Sequence, residues 1–228
     1  MIKTLTLFAI LFICLAANAQ IKKGTVLIGG QISAGTFERN INYPIFPTSP
    51  PTPNFENDNF RFLIVGVSVG KAIKDNQVIG FNFNTVNFKQ TYFFNANQST
   101  VAKNNLNEAG IFYRKYKKLG KDIYLFGQAN ASVNFGKTTY SYANLMDNST
   151  VKQSGILLSF SPGLAYALSK KFHIELSIQN LIAIQYNSLK QQFSNPLYQT
   201  YRSNSYGINT SLSSGSLGNV GLGFRLIL

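Results

Sequence analysis

Tryptophan is absent from the 228 residues, and histidine and cysteine occur once each. Acidic side chains are also scarce: 8 Asp and Glu stand against 21 Lys and Arg, for a formal charge of +13. Charged residues make up 13% of the chain, about half the share usual in a soluble globular domain. One cysteine allows no internal disulfide and no thiolate metal site. Past residue 20, no apolar run reaches the roughly 18 residues that a membrane helix needs. Yet the mean hydropathy is zero, so apolar and uncharged polar residues must be finely mixed. The 18 Gly, 19 Phe and 12 Tyr favour strands and turns over helices.

The N-terminus reads as a signal peptide over residues 1–19. Lys3 supplies its positive end, and Leu5 to Leu15 forms an apolar core too short to span a bilayer. Ala17-Asn18-Ala19 is a small-x-small cleavage site, so the mature domain is expected over 20–228. Cys14, preceded by Ile13 rather than a small residue, reads as one more apolar residue of the leader, not a lipid anchor.

Beyond the leader the dominant period is two, the period of a strand. Ile123, Leu125, Ala129, Ala131, Val133 and Phe135 share one face of a segment whose other face is Tyr124, Phe126, Gln128, Asn130, Ser132 and Asn134. Phe172, Ile174, Leu176 and Ile178 alternate with His173, Glu175, Ser177 and Gln179. Eight such segments are predicted, at about 24–36, 60–71, 78–88, 107–117, 122–136, 154–168, 172–184 and 207–228. Each is long enough for a tilted strand to cross a bilayer.

The connections alternate in length. Long loops are predicted through Pro44, Pro47, Pro50, Pro51 and Pro53, over Lys89 to Leu106, over Lys137 to Gln153, and over about Gln185 to Ser205. Tight turns are predicted at Lys74-Asp75-Asn76, Lys118 to Lys121 and Ser169 to Lys171. This alternation belongs to an outer-membrane barrel, with long loops outside and short turns in the periplasm. In lipid, open sheet edges strand unpaired backbone groups, so the sheet must close. The predicted fold is all-β: an eight-stranded antiparallel up-and-down transmembrane β-barrel, its lumen filled by side chains. Aromatics near strand ends are expected to form two interfacial girdles, with Tyr113, Tyr116, Tyr124, Tyr166 and Phe172 at the short turns. Phe60, Phe88, Phe135 and Tyr186 would form the other. Pro162 lacks a ladder donor, so a bulge is expected there.

Three stretches resemble the small Bacteroidetes outer-membrane β-barrel proteins, a porin-like family. Val67-Ser-Val-Gly-Lys-Ala-Ile-Lys-Asp-Asn-Gln-Val-Ile-Gly-Phe81 is similar to their second hairpin. Gly110-Ile-Phe-Tyr-Arg-Lys-Tyr116 resembles their PFxRYY strand, with Ile111 in place of the usual proline. Ser161-Pro-Gly-Leu-Ala-Tyr166, followed by Lys170-Lys171-Phe172, resembles their SPGLxYF…KKF hairpin. The resemblance implies the barrel fold and the outer membrane, and implies no activity. The final residue is Leu228, where the family's barrel-assembly signal typically ends in an aromatic.

Candidate chemistry is confined to the lumen-facing rows. His173, Glu175 and Ser177 share one row, which invites a lipid-modifying hydrolase. Residues four apart on a strand are about 13 Å apart, too far for base and nucleophile to meet. Glu108, Arg114, His173, Glu175 and Arg225 form a candidate lumen charge cluster, whose opposite signs are expected to pair as a plug. No catalytic, cofactor or metal site is predicted. Lysines at the short turns, Lys71, Lys74, Lys115, Lys117, Lys118, Lys121, Lys170 and Lys171, can meet anionic headgroups or acidic periplasmic polymers, or stand as solvated turn residues that blunt assembly. Nucleic acid does not fit an exported chain whose charge lacks stacking aromatics. The expected function is a non-enzymatic barrel acting through its long loops, in contact with outer-membrane lipids, lipopolysaccharide and, during insertion, the barrel-assembly machinery. A narrow small-solute channel is the alternative; a secreted lipocalin-like barrel would join its strands by mostly short hairpins.

Overall fold

The computed structural model describes residues 21–39, 57–95, 98–142, 148–195, 197, 199–210 and 220–228. The predicted leader and the Pro-rich loop lie outside the described residues. Ten strands follow one another: β1 Val26–Arg39, β2 Asn57–Lys74, β3 Gln77–Asn95, β4 Gln98–Lys118, β5 Ile123–Tyr142, β6 Ser149–Ala167, β7 Phe172–Ile178, β8 Ile182–Phe193, β9 Tyr201–Thr210 and β10 Val220–Ile227. β1 to β6 form an antiparallel meander. β6 then pairs β7, β7 pairs β10, and β10 pairs β1. Through β7 and β10 the sheet closes on itself as a barrel-like ring, and β9 pairs with β8 alone among the described residues.

The count of ten corrects the predicted eight. The predicted strand 172–184 is β7 and β8, which lie end to end along β6. The predicted strand 207–228 is β9 and β10, paired with β8 and β7 in the same order. The break in the first pair has a local cause. Between the partners Phe160↔Ile182 and Gly163↔Ser177, β6 supplies two residues and the opposing chain four. Pro162 stands in that interval with no N–H to give. Opposite it, Asn180 takes a left-handed φ of 51° and its N–H donates to Ser161 Oγ at 3.0 Å. The bulge expected at Pro162 therefore falls on the partner strand.

The pairings fix the geometry of the ring. Starting from Leu164 on β6, successive partners are Leu176, Leu222, Ile32, Val65, Thr85, Asn107, Phe135 and Ser154. The path returns to β6 offset by ten residues, which is the shear of the ring. With eight strand positions, a rise of ~3.3 Å and a spacing of ~4.8 Å, this gives a tilt of about 40° and a wall radius of about 8 Å. Such a ring has room inside only for side chains.

The two faces are sorted inside out. Ile28, Ile32, Leu63, Val65, Val67, Val69, Phe81 and Phe83 are all exposed on the exterior, Val67 to 59% and Phe81 to 67%. Buried toward the lumen are Ser33, Asn84, Arg114, Ser132, Asn134, Ser159, Ser161 and Glu175. On β6 the exterior run is Ile156, Leu158, Phe160, Pro162, Leu164 and Tyr166. At the tilt above, that run spans about 25 Å along the axis, the height of an outer-membrane apolar band.

Three of the predicted long loops are in large part strand. β3 and β4 continue through Lys89–Leu106, β5 and β6 reach Tyr142 and back from Ser149, and β8 runs to Phe193. These extensions are mostly polar on both faces, with apolar residues scattered among them, so the hydrophobic period that marks the wall in the apolar band fades while the ladder continues. The girdles also need correction. Tyr113, Tyr166, Phe135 and Tyr186 are exterior and exposed, and Phe172 stacks on Phe224 at 6.3 Å. Tyr116 and Tyr124 instead point inward and are 3% and 0% exposed. Phe60 and Phe88, 5.4 Å apart, lie on the inward phase of β2 and β3.

The short-turn end is closed by a small apolar core. Ile21, Leu27, Val78, Phe112, Tyr116, Tyr124, Phe126 and Ile227 pack there. The chain entering the ring braces the β2–β3 turn: the Asn76 N–H donates to the Ile21 carbonyl at 2.9 Å and the Lys23 N–H to Asp75 Oδ1 at 2.9 Å. Asn76 holds φ 60° there, a conformation Asn tolerates in tight hairpin turns.

Candidate functional site

Immediately above the apolar floor, three strands aim charged side chains at one point in the lumen. Alternation sets each of them inward: Arg114 on β4, Glu175 on β7 and Arg225 on β10. Glu175 pairs across the ladder with Ala165 and Gly223, so small neighbours leave room for the long ones. Gly29, the partner of Arg225, is close-packed too: a Cβ there would stand 2.9 Å from the Arg225 guanidinium carbon.

Glu175 receives both arginines. Arg225 grips it through Nε to Oε1 at 2.9 Å and Nη2 to Oε2 at 3.1 Å. Arg114 Nη1 donates to both carboxylate oxygens at 2.7 Å. Tyr116 Oη donates to Glu175 Oε1 at 3.0 Å. The outer faces of the guanidinium groups are also held: Arg114 Nε donates to Gln128 Oε1 at 2.6 Å, and Arg225 Nη1 to Ser68 Oγ at 3.2 Å. The Arg114 guanidinium lies 4.2 Å over the Phe126 ring, a cation–π contact. All three charged residues are 4 or 5% exposed. Two buried cations around one carboxylate leave a local excess of positive charge, spread over amide, hydroxyl and aromatic partners.

The other two residues of the predicted cluster stand apart. Glu108 lies six residues up β4 from Arg114, where Ser132 Oγ donates to its Oε1 at 2.7 Å and Asn84 bonds it as well. His173 lies below, fully buried, its ring stacked on Tyr124 at 5.4 Å and 12°. Neither His173 nitrogen has a hydrogen-bond partner among the described residues, and the Tyr124 hydroxyl has none either. Gln128 and Ser68 were not singled out for the cluster from sequence and Tyr116 was assigned to a girdle, though each has the inward phase of its strand.

Above the cluster is a cavity of about 60 Å³, lined by Gln31, Asn82, Asn84, Glu108, Gln128, Asn130 and Gln179 among others. That is room for a few waters and not for a solute. The amides around it bond one another: Gln31 Nε2 to Asn84 Oδ1 at 3.1 Å, and Gln128 Nε2 to Asn130 Oδ1 at 2.6 Å. Among the described residues no three His, Cys, Asp or Glu side chains gather as for a metal ion. Chemically, the arrangement cross-links strands on opposite sides of the ring.

No family model and no curated protein matches the chain. Among solved structures, the translocator domain of the autotransporter NalP from Neisseria meningitidis matches over 99% of this chain and 93% of that chain, with 11% identity and a TM-score of 0.32. At that score the likeness carries no argument, and the ring is defined by its own strand pairings.

Proposed function

We propose that this chain is an integral outer-membrane β-barrel of the small porin-like kind its motifs resemble. It has a structural or surface-interaction role exercised through its outer hairpins, and no catalysis. The observation that carries the reading is the inside-out sorting on a closed ring: an apolar exterior some 25 Å tall around an amide-rich lumen. In water such an exterior would be a large exposed apolar surface; in lipid it is the solvated one. Ring closure answers the backbone requirement of the bilayer, and the leader predicted over residues 1–19 supplies the export route.

The lumen supports a plug rather than a pore. The Arg114–Glu175–Arg225 cluster crosses it, and Tyr116, Tyr124 and Phe126 close it beneath. His173 rests against an aromatic ring with no serine bonded to it, which favours a packing role over hydrolysis. The test has two parts. The native protein from outer-membrane fractions should migrate faster on a gel than the boiled one. Reconstituted in a planar bilayer, it should pass no stepwise current. Migration unaffected by boiling and recovery in the soluble fraction would contradict the barrel; discrete conductance steps would contradict the plug.

A further inference from the structure

Seven basic side chains stand in register on the exterior just above the apolar band. On three adjacent strands Arg61 pairs with Lys89 and Lys89 with Lys103. On the next four positions Lys137 pairs with Lys152, Lys152 with Lys190, and Lys190 with Arg202. Alternation puts all of them on the exterior face, and six of the seven are exposed. The two rows are offset by one step: Asn105, the partner of Lys137, lies two residues from Lys103. With the tilt of the ring, Arg61, Lys89, Lys103, Lys137 and Lys152 fall within roughly 7 Å of axial height.

The distance from the belt to the band differs between strands. On β2, β5, β6 and β8 the nearest apolar exterior residue is two positions below Arg61 at Leu63, two below Lys137 at Phe135, four below Lys152 at Ile156 and four below Lys190 at Tyr186, whereas on β3 and β4 it is six below Lys89 at Phe83 and six below Lys103 at Ala109. On β2, β5, β6 and β8 the belt therefore begins close to where the hydrocarbon would end, and on β3 and β4 it stands above a polar step of Asn and Thr. Among the described side chains, the two ion pairs join Glu175 to lumen arginines, and none reaches the belt. Like charges directly opposite on a sheet destabilise it. Such a row needs an anion between its members. Cross-strand Cβ atoms are about 5 Å apart, so neighbouring ammonium groups can converge on one phosphate.

We propose that this belt is a binding surface for the phosphate-bearing headgroups of outer-leaflet lipopolysaccharide. It rests on the outer-membrane reading above and adds a ligand class and residues to it. Four features fit that occupant: the height of the belt, its curvature around the ring, the repeat of cations at strand spacing and the apolar wall beneath for acyl chains. Lysine and arginine are the phosphate-binding side chains, and their long stems can lie along the wall while the charge reaches the headgroup layer.

The test uses the full-length protein, expressed, purified from membranes in detergent and checked for heat-modifiable migration. Binding of fluorescent lipid A is compared for the native chain, the variant K137Q/K152Q/K190Q/R202Q and the opposite-rim variant K115Q/K117Q/K118Q. The belt variant should bind at least tenfold more weakly and the opposite-rim variant within twofold of native. Lipid A stripped of phosphate should bind native and belt variant alike, and millimolar inorganic phosphate should displace little of the intact lipid. Native affinity in the belt variant, equal loss in the opposite-rim variant, or full displacement by free phosphate would each overturn the proposal. If the fourfold variant does not fold, Lys152→Gln alone replaces it. A two- to threefold loss is then expected, and none would overturn the proposal. A native protein that shows no heat-modifiable form fails the barrel reading instead, so the two failures are distinct.

Discussion

Inside the ring, Arg114 and Arg225 share one carboxylate at 2.7 and 2.9 Å; outside it, Lys137, Lys152 and Lys190 stand side by side on adjoining strands with no carboxylate bridging them among the described residues. The contrast follows from the surroundings. A charge sealed behind the wall has no solvent to fall back on, so its counter-ion must be built into the fold. A charge at the band edge can draw its counter-ion from the lipid or the medium. Interior charges therefore hold the fold together, and exterior ones are free for partners.

The comparison is broken hardest by removing the shared carboxylate. Glu175→Ala leaves two buried guanidinium groups facing each other, and a loss of about 3–5 kcal/mol is expected in urea unfolding from vesicles. Replacing the whole set, R114M/E175L/R225M, should recover most of that loss, because no uncompensated charge remains. Next comes an arginine on the exterior. Val67→Arg, in the middle of the band, should cost roughly 2–4 kcal/mol in the same assay, while Leu63→Arg at its edge should cost about 0–1 kcal/mol. Equal costs at the two positions would contradict the placement of the band.

A smaller effect is expected at Gly29. The added methyl of Gly29→Ala meets the Arg225 guanidinium, which must shift and loosen its two bonds to Glu175. The expected cost is about 1–3 kcal/mol, and it should shrink in the background that already lacks Arg225. The smallest effect belongs to the belt: in phosphate-free lipid, Lys152→Gln should leave the unfolding midpoint unchanged or slightly raised, since a like-charge neighbour is gone.

The sorting of side chains between the two faces was legible because strand alternation is strict. From β5 alone, Leu125, Ala129 and Val133 fall outward and Phe126, Ser132 and Asn134 inward, as the structure has them. Arg114, Glu175 and Arg225 were legible as inward for the same reason. Their meeting point was not, because it depends on the shear of the ring, which no single strand reveals. Pro162 marked the irregularity in β6, yet the residues that absorb it, Gln179 to Leu181, sit on another strand. Tyr116 and Tyr124 were assigned to a girdle by their nearness to strand ends, when their phase already turned them inward. The belt was hidden for a different reason. Lys89, Lys103, Lys137, Lys152 and Lys190 all fall in stretches without apolar alternation, and only the ladder shows that they line up.

The most direct test of this account is a cysteine scan along residues 123–135, since the chain from Ile21 onward contains no cysteine. Single nitroxide labels would be read in reconstituted vesicles by their collision rate with lipid-dissolved oxygen. A period of two is expected, with high rates at Leu125, Ala129, Ala131 and Val133 and low rates at Gln128, Asn130, Ser132 and Asn134. Rates that do not alternate, or that peak at the asparagines, would contradict it.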